Sequence, residues 1–166
     1  MRTIPVLPIK STVIFPGTSS PLRVGRVQSI AAIRSAQSAG GWIIAVSQKH
    51  ETDDRLVKSE DLFKVGTLSK IEKVRGDEAR GYQVFLRGDK RFAIEAYEEK
   101  DGHLWANCGE QMDVNELDPQ THHALLDSLK GLAQKILELL PSDTRRLSEV
   151  VAGIEDLTFL THLCAA

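Results

Sequence analysis

Few residues of this 166-residue chain stand at spacings that could do chemistry. Asp53-Asp54 is a carboxylate pair, and acid–base work by such a pair needs surroundings that split the two pKa values. The polar run "KHETDDRLVKSEDLF" around it offers none and reads as a long solvated loop, with one helical turn at "SEDLF". His122-His123 are adjacent, which turns them about 100° apart on a helix. A metal shared on one helical face needs an i,i+4 pair instead. Cys108 lies in a strand pattern near Trp105 and Ala106, whereas a catalytic thiolate needs a basic neighbourhood. Serines and lysines are plentiful, but no spacing motif ties one to the other. The chain has no Gly-Lys dipeptide, hence no phosphate loop of the GxxxxGK(S/T) type, and no GxSxG or HExxH. No residue is therefore assigned to catalysis, a cofactor or a metal, and no cofactor is expected.

A binding role is the alternative, and composition narrows the partner. Trp42 and Trp105, with Phe85, Phe92 and Tyr97, would suit a base-stacking platform for RNA. Aromatics total only 5%, however, and most fall on strand faces that alternate as core. The net charge of −2 is uneven: residues 1–112 carry 17 Lys/Arg against 14 Asp/Glu, and residues 113–166 carry 4 against 9. That split suggests two structural regions. It is far from the strongly basic face that nucleic acid requires. The two cysteines form no CxxC, which fits a reduced compartment. No stretch is long enough to span a bilayer, and "MRTIPVLPIKST" is broken by Pro5, Pro8 and Lys10, so it lacks a signal-peptide core. A cytoplasmic protein with no membrane partner is the expectation.

The elements that must position any site follow from periodicity. "TIPVLPI" and "STVIFP" read as short strand pieces, each ended by proline, and "SPLRVG" returns as a strand after the Pro16-Gly17 turn. Proline inside strands argues for edge or bulged positions, as in a small, imperfectly closed barrel. "RVQSIAAIRSAQSAGG" is a helix stopped by Gly40-Gly41, with Val27, Ile30 and Ala31 on its apolar face and Ile33 beside it. "WIIAVSQ" is apolar enough for a central strand. "KVGTLSKIEKV" and "YQVFLRG" form a hairpin over "RGDEARG", and "KRFAIEAYEE" and "HLWANCGEQ" form another over "KDG". Phe92, Ile94 and Ala96 alternate against Ala93, Glu95 and Tyr97.

After Asp118-Pro119, an N-cap and N1 pair, the period becomes helical. Leu125, Leu126, Leu129, Leu132, Ala133, Ile136, Leu137 and Leu140 form a stripe expected to dock on neighbouring helices, and the helix ends at Pro141. "TRRLSEVVAGI" and "EDLTFLTHLCAA" give two more helices. The last reaches Ala166 without a stop signal, so the expectation is a truncated helical part.

Three segments, "IPVLPIKSTVIFPGTSSPLRVGRVQSIAAI", "IIAVSQKHETDDRLVKSEDLFKVGTLSKI" and "VFLRGDKRFAI", then the helices ending "IEDLTFLTHLCAA", resemble in order the N-terminal domain of Lon-type ATP-dependent proteases. The resemblance implies an α+β fold: a PUA-like β pseudo-barrel with one helix over residues 1–112, then a helical bundle over 113–166, incomplete at its C-terminal end. It implies a non-catalytic domain that captures unfolded or tagged client proteins and helps a hexamer assemble for protein quality control. The ATPase and Ser-Lys peptidase modules lie further along in that family. The hairpin "RGDEARG" departs from the simpler "PDG"-like turn the family often has. Client contact is expected at the barrel rim and the start of the first helix: Pro16, Pro21, Gly25, Arg26, Val27 and Gln28. The alternatives are a stand-alone PUA-like module for RNA and, last, a stand-alone enzyme.

Overall fold

Two strands of the sheet are apolar along both faces because each feeds two cores. The computed structural model describes residues 1–50, 56–77, 81–114 and 116–166. β1 (Arg2–Ile9) and β3 (Trp42–Ser47) run parallel, paired from Val6↔Ile44 to Ile9↔Ser47. Successive side chains point to opposite faces. Ile4, Val6, Ile44 and Val46 enter one cluster with Leu68, Phe92, Ile94, Leu104 and Ala106. Leu7, Ile9, Ile43 and Ala45 enter another with Val84, Leu86 and the helix α1 (Val27–Ser38). Burial on both sides is what an unbroken apolar run encodes.

β2 (Ser19–Val24), β4 (Val65–Asp77), β5 (Gly81–Lys100) and β6 (His103–Glu110) complete a mixed sheet of order β2-β5-β4-β3-β1-β6. β6 also pairs with the far part of β5, from Phe92↔Glu110 to Lys100↔His103, so the sheet curls back on itself. One long strand makes that return and β2 stays outside it. The fold is therefore α+β with a pseudo-barrel, not a closed barrel. Asp101 and Gly102, both at positive φ, make the two-residue turn from β5 to β6. The tip of the other hairpin, 78–80, lies outside the described residues, as does Asp53-Asp54.

Several expectations need correction. "YQVFLRG" and "KRFAIEAYEE" are one strand, β5, because its first part pairs with β4 and β2 while its second serves β6. An irregularity between Ile94 and Ala96 breaks the alternation, so Tyr97, and not Ala96, packs on the core. "STVIFP" is no strand. Two of its carbonyls are met by side chains, the Thr67 hydroxyl donating to Ile14 O (2.6 Å) and the Ser47 hydroxyl to Thr12 O (2.8 Å), while Phe15 O accepts from Thr18 N. Gly88 lies so close to this segment that a Cβ there would stand 2.3 Å from Phe15 O.

In α1 the inward face is Gln28, Ser29, Ala32, Ile33 and Ala36, while Val27 is 81% exposed. The Gln28 amide sets this rotation by bonding the Val57 backbone, and the small residues let the helix lie close to the sheet. The expected apolar face is thus right for Ile33, which is buried, and for Ile30, which packs partly buried on the same cluster, and wrong for Val27.

The chain divides into two compact units, Met1–Met112 and Asp113–Ala166. The second holds α2 (Pro119–Leu139), α3 (Arg145–Gly153) and α4 (Leu157–Ala165). Asp118 caps α2 by accepting from the N–H groups of Gln120 and Thr121 and from the Thr121 hydroxyl. Leu126, Val151, Ile154 and Leu160 form the buried centre, with Leu129, Ala133 and Leu137 packed against it. Leu125, Leu132, Ile136 and Leu140 of the expected stripe remain exposed. Eight apolar positions span more of the helix circumference than two nine-residue helices cover.

Candidate functional site

The prolines of the opening stretch mark where the sheet leaves backbone unpaired. In β2, Pro21 has no N–H, so its position faces away from β5, and alternation sends the Arg23 N–H and C=O to the same outer edge. In β1, Ile9 O accepts from Gln48 N at 2.9 Å on the β3 side. Pro8 therefore faces the opposite edge, where the ladder to β6 has already stopped at Pro5↔Trp105.

A cleft of about 300 Å³ lies between these two edges, lined by residues 7–10 and 21–26 together with Ser29. A second cleft of about 410 Å³ adjoins it at Arg23, Val24 and Gly25 and continues along Arg75, Gly76 and residues 81–83. Together they form a trough over the C-terminal end of β2. Leu7, Ile9 and Val24, all buried, form its apolar floor, and Leu22 is half-buried beside them. Its charged lining residues are Lys10, Arg23, Arg26 and Arg75, with no carboxylate among the described lining residues. Arg26 is the N-cap residue of α1, and its Nη1 donates to Gln48 Oε1 at 3.0 Å. The Arg75 guanidinium sits 5.5 Å from the centroid of the Phe85 ring.

Of the residues singled out by sequence, Pro21, Gly25 and Arg26 come together here, and Gly25 lines both clefts. Pro16 lines a separate pocket of about 90 Å³ with Ile14, Val65 and Gly66. Val27 is exposed but lines neither cleft, and Gln28 is buried with its amide engaged by Val57. Sequence reasoning missed residues 7–10, Arg23 and Arg75, because long-range pairing brings them together. Pro8 and Pro21 were the available signal.

The other chemical candidates lie elsewhere. Cys108 is buried, donates to Arg2 O at 3.6 Å, and has its thiol pushed up by that burial, away from thiolate character. His123 approaches Asp127 at 3.4 Å along α2, and the described residues hold no cluster of metal-ligating type. Tyr97, pushed up by burial, donates its hydroxyl to Phe63 O at 2.6 Å. Phe92 is buried and Tyr97 packs on the same core, so neither offers a face for base stacking.

The trough thus combines unpaired strand edge, apolar floor and cations, features that an extended polypeptide could pair with. The family model described as the ATP-dependent protease La (LON) substrate-binding domain matches residues 3–166, and the chain belongs to that family. It is 40% identical over 163 residues to Lon protease 1 of Bdellovibrio bacteriovorus, covering 98% of this chain and 20% of that protein. To the Lon protease of Flavobacterium johnsoniae it is 32% identical over 168 residues, covering 99% and 20%. The chain thus spans about a fifth of the length of these relatives. Among solved structures, the N-terminal domain of Mycobacterium avium complex Lon protease matches with a TM-score of 0.80 at 22% identity, over 99% of this chain and 82% of that one. A Lon N-terminal domain protein from Xanthomonas campestris matches with a TM-score of 0.59 at 20% identity, over 99% and 97%. These two likenesses concern the fold.

Proposed function

We propose that the chain is the non-catalytic substrate-recognition part of a Lon-type ATP-dependent serine protease, acting in protein quality control in the cytoplasm. Its clients are unfolded or tagged proteins, and it contributes to assembly of a hexamer. The observation that carries this reading is the family match across residues 3–166. The trough around Gly25 supports it physically. An unfolded client presents extended backbone and apolar side chains, and the trough offers the unpaired edge positions of Pro8 and Arg23 beside the half-buried Leu22. None of the described helices is long and apolar enough to cross a membrane, which is compatible with a cytoplasmic location.

Gly25 provides the test. A Cβ there meets nothing within 4 Å, so Gly25→Trp begins in open space and sets a bulky ring at the junction of both clefts. Binding of an unfolded reporter protein is measured for both forms, after their melting curves are shown to agree. Loss of binding in Gly25→Trp is the expected result. Undiminished binding would move the client site away from the trough.

A further inference from the structure

We propose that the trough selects extended client segments that carry acidic side chains among apolar ones. This inference rests on the proposed client-binding role and specifies its chemistry. The protein as a whole is net negative, yet the described charged residues lining both clefts are Lys10, Arg23, Arg26 and Arg75, all cations. Arg23 and Arg75 are exposed, and Arg23 belongs to both clefts, so positive charge runs the length of the trough. A concave site lined by one sign of charge focuses its field and enriches the opposite sign in any passing ligand. The Arg75 guanidinium lies 5.5 Å from the Phe85 ring centroid, and its planar fork is suited to bidentate binding of a carboxylate.

Backbone and apolar contacts decide between a peptide and another polyanion. The outer edge of β2 presents the Arg23 N–H and the carbonyls of Pro21 and Arg23, which match the alternating donors and acceptors of an extended polypeptide. The half-buried Leu22 beside them, over a floor of buried Leu7 and Ile9, suits an apolar side chain and has no counterpart in a phosphate backbone. An extended peptide of mixed acidic and apolar residues uses all three features. A phosphate backbone uses the charge and the Arg23 N–H, but offers no donor to the carbonyls.

The experiment is fluorescence polarisation on the whole chain with three short labelled peptides of one apolar framework, bearing Glu, Gln or Lys at the same positions, and a labelled single-stranded DNA. The uncharged unfolded reporter is titrated alongside. The Glu peptide is expected to bind at least about tenfold tighter than the Gln peptide, and the Lys peptide weakest. Arg23→Glu and Arg75→Glu, both at exposed positions, are expected to abolish that preference with unchanged melting curves, and added salt to reduce it. Equal affinity for the Glu and Gln peptides, while the reporter still binds, overturns the acidic preference and leaves client binding standing. Binding of neither peptides nor reporter overturns both. Tighter binding of the DNA than of the Glu peptide overturns the peptide assignment in favour of nucleic acid.

Discussion

Gln28 and Val57 exchange two hydrogen bonds of 3.0 Å each, Gln28 Nε2 donating to Val57 O and Val57 N donating to Gln28 Oε1. The side-chain amide acts toward Val57 as a neighbouring strand would, and it ties α1 to a segment 29 residues further on. Both partners are buried, so deleting the amide strands a backbone donor and acceptor away from water.

Gln28→Ala is therefore expected to destabilise the β-rich unit by about 2–4 kcal/mol, from two unsatisfied buried groups. Gln28→Glu keeps the acceptor for Val57 N but sets a carboxylate oxygen against Val57 O, and should be no better than alanine. Urea melts of the three proteins check this. A Gln28→Ala midpoint equal to the parent's would show that Val57 finds other partners.

The leucines of α2 separate by face. Leu126 is buried and Leu132 is 58% exposed. Leu126→Ala should cost about 2–5 kcal/mol, the range for emptying a buried leucine site. Leu132→Ala should fall within about 0.5 kcal/mol of the parent. Equal losses would mean that Leu132 is covered in solution.

Asp118 supplies a pH test. The Thr121 hydroxyl, then the Thr121 and Gln120 N–H groups, hold its carboxyl below the usual aspartate range. A group whose folded pKa is depressed stabilises fully above its unfolded value, and the contribution disappears as pH falls through the folded one. Helical signal and its melting midpoint should thus decline below about pH 4. Asp118→Asn caps without charge and should show a flatter acid profile, while Asp118→Ala should be weakened throughout the neutral range. Superimposable profiles for the parent and Asp118→Asn would rule out a charged cap.

Part of this fold was legible in the sequence. Locally encoded features were readable: the Asp118-Pro119 helix start, the "KDG" turn, the central strand "WIIAVSQ" and the ordered motifs that place the chain in its family. Features that depend on distant partners were not. The rotation of α1 is set by Gln28 meeting Val57, the phase of β5 changes between Ile94 and Ala96, and "STVIFP" loses strand pairing because Thr67 and Ser47 reach its carbonyls. The trough was half visible. Pro21, Gly25 and Arg26 could be named from their rim position, whereas Leu7, Pro8 and Arg75 join them only after the sheet has formed.

Client binding along the trough at the end of β2 can be read residue by residue. Backbone amide chemical shifts of the isotope-labelled chain, recorded while an unfolded client is titrated in, test it most directly. Perturbations are expected at Leu7, Ile9, Leu22, Arg23, Gly25, Arg75 and Tyr82, with the exposed leucines of α2 unmoved. Perturbations confined to Leu125, Leu132 and Ile136, with the trough silent, would contradict it.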